Sequence, residues 1–240
     1  AGSAPVQAGA PAKPAAKSGQ TSETVNTFKQ EHSLMGRSFF GEVGKTWLRI
    51  TNSEGGYMVE AWQPNWDVYF INRKKKLFCR MPYKEVIKKN CLLKLSTFSI
   101  SGSFDISLQS KTYQLRGKTF CEYMYPGEET HFSFLNDKIP KEKSVYNHFI
   151  MKTVKLPGTA KQAEVIYSKT MSLPAAGGFP VSLYGHLAQK REWEFVTREF
   201  KEAAAQPPSI ADLKGLQETK NMSDVIFSSE AQAVIEELAK

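Results

Sequence analysis

The segment WDVYFINRKKKLFCRMPYKEVIKKN, residues 66–90, fixes the first element of the fold. DVYFIN and KLFCRM are short runs of aromatic and β-branched residues, and RKKK between them is a tract that no core would accept. The pattern predicts a β-hairpin whose four-residue turn, Arg73, Lys74, Lys75 and Lys76, projects cations into solvent, where lysines also discourage edge-to-edge pairing. PYKEVIKK then opens a short helix at Pro82, since proline is favoured at a helix start. Residues 73–94 carry nine cations and one anion, Glu85, a surplus equal to the +8 of the whole chain, so the remainder is balanced.

The same period of two runs outward from this hairpin. KTWLRIT and YMVEAW read as strands joined through NSEGG, a turn sequence. In TFSISGSFDISL (97–108), Phe98, Ile100, Phe104, Ile106 and Leu108 share one face and Ser, Thr and Asp the other, the mark of a strand buried on one side. Further strands are expected at TYQLRG, KTFCEYMY and THFSFL, and later at VSLYGHL and EWEFVTREF. Helical spacing is read in TSETVNTFKQEHSLMG (21–36), PKEKSVYNHFIMKTV (140–154) and TAKQAEVIYSKTM (159–171), the last opened by a Thr159/Gln162 capping box. PPSIADLKG suggests a helical turn, and SSEAQAVIEELAK a final helix capped by Ser229 and Gln232. Strands in hairpins with helices segregated between them predict an α+β fold. One large antiparallel sheet of this length should curl strongly into a half-open barrel, with the helices on its concave face.

The first twenty residues are almost wholly Ala, Pro, Gly, Ser and Lys. They bury too little to offset their ordering entropy, so 1–20 reads as a disordered leader before a single domain over 21–240. An Ala/Pro-rich leader of this kind suggests export. No apolar run is long enough for a membrane-spanning helix. Cys79, Cys91 and Cys121 include no CxxC pair, and the four histidines have no ligand spacing, so no metal or cofactor is expected. HExxH, P-loop, GxSxG and Rossmann glycine patterns are all missing, which predicts a non-enzymatic protein.

Several segments, taken in order, resemble the LolA/LolB/LppX-like superfamily of bacterial envelope proteins: LRITNSEGGYMVEAW and the hairpin after it, YQLRGKTFCEYMY (113–125), LPAAGGFPVSLYG (173–185) and EWEFVTREF (192–200). The resemblance covers roughly residues 37–227. It implies a curved sheet lidded by helices, a lipid or acyl chain held in the hollow, and a place in the periplasm or envelope. Trp62, Phe70, Phe98, Ile100, Phe104, Phe120 and Met124, at alternating strand positions, are the candidate wall of such a hollow. Arg73, Lys74, Lys75 and Lys76 are the candidate contact with an anionic membrane, each cation adding about 1 kcal/mol near such a surface. A nucleic-acid partner is not expected, because the aromatics lie within strands rather than interleaved with the cations. The alternative is an envelope scaffold that docks through its basic hairpin and holds no small ligand.

Overall fold

In a computed structural model, residues 21–32, 37–89, 92, 109–126, 148–173, 177–187 and 190–227 are described. They build a sheet of twelve strands: β1 (Glu23–His32), β2 (Arg37–Val43), β3 (Trp47–Asn52), β4 (Tyr57–Trp62), β5 (Val68–Asn72), β6 (Leu77–Met81), β7 (Gln109–Leu115), β8 (Lys118–Pro126), β9 (His148–Lys155), β10 (Phe179–Leu187), β11 (Lys190–Ala205) and β12 (Gln217–Glu218). The order across the sheet is β12-β6-β5-β4-β3-β2-β1-β11-β10-β9-β8-β7, and it does not close. Neighbours are antiparallel except β12, which runs parallel to β6. The sixteen-residue β11 joins the two halves, pairing β10 with its first part and β1 with its second.

The hairpin of residues 66–90 forms as expected, with Asn72 opposite Leu77 and Val68 opposite Met81. α1 (Tyr83–Val86) follows directly from Pro82. The strands expected at KTWLRIT, YMVEAW, TYQLRG, KTFCEYMY, VSLYGHL and EWEFVTREF are present as β3, β4, β7, β8, β10 and β11. In the turn between β7 and β8, Arg116 and Gly117 both adopt positive φ, as a tight hairpin of this twist requires.

The helix expected over 21–36 is instead β1. Val25, Phe28 and His32 are buried as a helical stripe would require, but so are Thr27 and Gln30. Both are polar residues that satisfy themselves inside the sheet: Thr27 Oγ1 donates to the Lys201 carbonyl at 3.0 Å, and Gln30 Nε2 to the Pro180 carbonyl at 2.9 Å. Counted as surface residues, they conceal the alternation. The helix expected over 140–154 is corrected likewise for its described part. His148–Lys155 is β9, held between β8 and β10, with Phe149, Met151 and Thr153 buried in alternation. Pairing on both edges overrides its local helical spacing. The chain is thus mostly β with few helices. Phe98, Ile100, Phe104 and the strands expected at 97–108 and THFSFL lie outside the described residues, as do the leader, the Ser229/Gln232 box and the helix it was to open.

α2 (Lys161–Thr170) forms where the spacing predicts a helix, but without the expected capping box: Ala160 holds the cap position with no side-chain bond. Ala163, Ile166, Tyr167 and Thr170 recur at helical spacing and are buried on the sheet. The face they meet is legible in the register. Phe28, Gly41, Ile50, Val59, Phe70 and Cys79 form one row across β1 to β6, and all are buried. Gly41 is required there, because a Cβ would stand 2.8 Å from Tyr167 Cε2 and closer still to its hydroxyl. α3 (Met222–Ile226), capped by Asn221 accepting from the Ser223 amide at 3.1 Å, packs on the same face. Asn72 Nδ2 fastens it by donating to the Val225 carbonyl at 2.9 Å.

The opposite face of β4 to β6 has its own small cover. After β11 the chain passes through a 3-10 helix (Ile210–Leu213), opened by a reciprocal Ser209–Asp212 capping box, in line with the helical turn expected at PPSIADLKG. Leu213 and Leu216 close over Tyr69 and Ile71, beside Met58, Trp62 and Phe78. β12 then pins this strap to the β6 edge through the Gln217 and Thr219 amides.

Candidate functional site

Two hairpin turns stand side by side where β4 meets β5. Both are built on the same device. Asn52 opens the turn between β3 and β4, and its Oδ1 accepts from the Gly55 amide at 2.5 Å. Asn72 opens the basic turn, and its Oδ1 accepts from the Lys75 amide at 3.1 Å. Both asparagines are buried, so each turn is fixed from within.

The four cations of the basic turn are not alike. The expectation that all project into solvent holds for Arg73, Lys74 and Lys76, which are exposed. Lys75 instead turns back on the fold, and its ammonium donates to the carbonyls of Asp224 (2.6 Å) and Phe227 at the C-terminal end of α3. A cation there satisfies carbonyls that the helix leaves unpaired and meets the negative end of its dipole. Arg73 Nη1 donates to the Asp212 carbonyl of the strap at 3.1 Å. Among the described residues, no carboxylate forms an ion pair with Arg73, Lys74 or Lys76.

The candidate wall residues are not brought to one place. Phe70 is wholly buried in the packed core under α2. Trp62 lies on the other face, its ring stacked 4.5 Å from Tyr69. Phe120 and Met124 are together, four residues apart on one face of β8: Phe120 is 9% exposed and Met124 43%. Around them the register places Tyr113 and Val154 beside Phe120, and Ile150 beside Met124. Leu115, 53% exposed, extends this face at the β7 edge. A charged row accompanies it, in which Lys152 pairs with Glu122 at 3.0 Å and Lys111 lies over the Tyr113 ring at 5.7 Å. Sequence reasoning does not single out Tyr113, Ile150 and Leu115; the alternation in TYQLRG carries the signal for the first and last.

The groups with displaced titration lie apart. Burial pushes Glu60 up against the opposing pull of Arg49, its partner at 2.6 Å on the strap side. Burial also pushes Glu164 up, opposed by a hydrogen bond from the Gly178 backbone. Glu164 lines an open cleft of about 470 Å³ with Thr119, Tyr123, Lys155, Leu156 and Gly177. His32, at the far end of α2, is lowered to about 4 by burial, with the Met171 backbone acting against it. Cys79 and Cys121 are buried free thiols, and burial raises Cys79; Cys91 lies outside the described residues. Among the described residues no cluster could hold a metal ion, and no helix is long and apolar enough to cross a membrane.

No family model matches the chain, and no curated protein matches it. Among solved structures it is similar to an uncharacterized conserved protein from Thermus thermophilus, at 8% identity and TM-score 0.37, covering 81% of this chain and 89% of that one. It is also similar to PNGF-II in two crystal forms, at 9% and 8% identity with TM-scores of 0.39 and 0.41, over 85% of this chain. The chain spans 33% of the PNGF-II chain. Likenesses this distant carry neither a fold assignment nor a function.

Proposed function

We propose that this is a non-enzymatic protein of the bacterial cell envelope, a LolA/LolB/LppX-like carrier that holds an acyl chain or other apolar ligand against the open half of its sheet. The observation that carries the reading is the unequal use of the two halves. The β1–β6 face is filled by α2 and α3, whereas β7–β9 leaves Leu115 and Met124 exposed beside Tyr113, Phe120 and Ile150. Leu115, opposite Lys118, and Met124, opposite Ile150, stand at the two ends of this face, and exposed apolar side chains of this size favour a binding surface. The ligand wall is therefore reassigned from Phe70 and Trp62 to the β7–β9 face, with Phe120 and Met124 retained.

The reading takes the sheet to curl as a half-barrel, and one set of contacts favours that. Lys118 on β8 reaches past β9 and β10 to Glu202 of β11 (3.0 Å) and Asn26 of β1 (3.2 Å), and lies over the Phe200 ring at 5.2 Å. A flat sheet would hold β8 and β11 about 14 Å apart. Titration with a fluorescent fatty acid tests the proposal. Leu115→Asp and Met124→Asp should each weaken binding, while Ile87→Asp, at an equally exposed side chain just after α1, should not. A wild type that binds no apolar probe would sink it.

The second reading, a scaffold that docks through its basic hairpin without a small ligand, draws on the outward-facing Arg73, Lys74 and Lys76 and on the filled β1–β6 core. It predicts binding to anionic vesicles that falls steeply with salt and needs no apolar face.

A further inference from the structure

The open cleft of about 470 Å³ falls within the roughly 300–1,000 Å³ usual for sites that take a small molecule, and it gathers opposite charges. Lys155 comes from the end of β9 and Glu164 from the first turn of α2. We infer that this cleft binds a small zwitterion of the amino-acid type, its carboxylate on Lys155 and Thr119 and its ammonium on Glu164. The inference rests on no part of the carrier reading, which concerns the Leu115–Met124 face.

Three features point there. The first is that the charges are kept apart. Burial pushes the Glu164 carboxyl up, and the Gly178 amide, Lys161 and Lys155 act against it. Yet neither Glu164 nor either lysine makes an ion pair among the described residues. The carboxylate therefore keeps room for a cation, and Lys155 for an anion. The second is the anion end. Thr119 lies directly opposite Lys155 in the β8–β9 register, and its Oγ1 accepts from Gln114 Nε2 at 2.8 Å. Its hydroxyl proton is left to donate, so a carboxylate meets two donors on adjacent strands. The third is the cation end. Gly178, whose amide bonds the Glu164 carboxylate, is pressed against β9 with φ +137°: a Cβ there would stand 2.9 Å from Thr153 Oγ1 and 3.0 Å from the Val154 carbonyl oxygen. The acid is thus fastened to the strand that carries Lys155, which fixes the spacing of the two charges. Tyr123 and Leu156, nearly buried, only back the cleft; the binding groups are exposed Lys155 and the partly exposed Thr119 and Glu164. A simple anion or a simple amine uses half of this arrangement, and a zwitterion uses all of it.

Chemical-shift titration of the full chain tests this with glycine, 4-aminobutanoate and 6-aminohexanoate, which separate the two charges by increasing lengths, against butanoate and butylamine. At neutral pH one of the zwitterions should move the Thr119 methyl and the Gly177 and Gly178 amides. It should bind about tenfold or more tighter than either single-charge ligand, the least expected of one added charge-assisted hydrogen bond. Butanoate or butylamine binding as tightly as every zwitterion would leave a site for one charge, and no shift with any of the three would leave an empty surface cleft; either overturns the inference.

Variants provide the second arm. Glu164→Gln keeps an oxygen for the Gly178 amide and removes the charge; it should weaken the zwitterion about tenfold and leave butanoate unchanged. Lys155→Gln should weaken both. Lys214→Gln, which removes an exposed cation from the strap, should alter neither. Wild-type affinity should fall as pH drops through the raised pKa of Glu164, because a proton then takes the place of the ammonium. In Glu164→Gln that fall should move to the lower pH at which the ligand's own carboxylate is protonated. Equal losses in Lys155→Gln and Lys214→Gln would mean diffuse attraction, and an unchanged pH profile in Glu164→Gln would remove the carboxylate from the site; each overturns the inference. The fatty-acid titration at Leu115 and Met124 reads the carrier proposal independently, so the two can fail separately.

Discussion

Replacing Tyr167 with Phe removes one oxygen from the centre of the molecule and should cost about 1–3 kcal/mol. Tyr167 is wholly buried, its ring 5.7 Å from that of Phe28 and 5.5 Å from that of Phe179, so Phe keeps the packing. What is lost is the hydroxyl that donates to Gln30 Oε1. The Gln30 amide is otherwise committed, donating to the Pro180 carbonyl and to Thr197 Oγ1, each at 2.9 Å; Thr197 in turn donates to the Val181 carbonyl at 2.8 Å. This chain ties α2 to β1, β10 and β11, where the two halves of the sheet meet. With the hydroxyl gone, a buried carbonyl oxygen has neither water nor partner. Gln30→Leu should cost at least as much, because it orphans Tyr167 and the Pro180 carbonyl together. The double variant should cost about 1 kcal/mol less than the sum, since the hydroxyl and its acceptor then leave together. Urea unfolding at neutral pH measures this, read as a midpoint shift at constant slope. A Tyr167→Phe protein within about 0.5 kcal/mol of wild type, or strict additivity, would refute the network as the joint of the sheet.

Gly41→Ala should destabilise by about 1–3 kcal/mol through the collision with the Tyr167 ring, and Tyr167→Leu should restore part of the loss; thermal melts of the pair check this. Within the basic turn, Lys75→Ala should cost about 0.5–1 kcal/mol by uncapping α3, while Lys76→Ala should be near neutral, a ranking that urea midpoints resolve. His32 is buried uncharged with a folded pKa of about 4, below its unfolded value of 6.5, so its contribution is complete above pH 6.5 and lost as pH falls towards 4. Between pH 7 and pH 5 wild type should therefore lose about 2 kcal/mol more than His32→Asn, measured by urea unfolding at both. Equal losses would place a solvated imidazole at that position.

The hairpin over residues 66–90 is readable because its turn is a block of charge and its strands hold few polar residues the core must absorb. The same holds for β3 and β4, and for the β7–β8 hairpin, whose Arg116-Gly117 turn declares itself. The first strand is not readable, because Thr27 and Gln30 look like surface residues until β11 and β10 supply their partners. β9 escapes for a related reason: a strand held on both edges owes its conformation to neighbours distant in sequence. Of the candidate site, the cation block is visible and the role of Lys75 is not, since the carbonyls it caps are some 150 positions away. Alternation names Phe120 and Met124 as wall residues. It cannot say that Phe70 is sealed under α2, nor that Trp62 faces the strap, because the two faces of a strand are equivalent until something covers one of them.

Native mass spectrometry of protein gently recovered from contact with bacterial envelope lipids separates a carrier from an empty fold. A loaded carrier gives a population heavier than the bare chain by one phospholipid or fatty acid, reduced in Met124→Asp and kept in Ile87→Asp. A single peak at the mass of the chain alone, after exposure to those lipids, would contradict it.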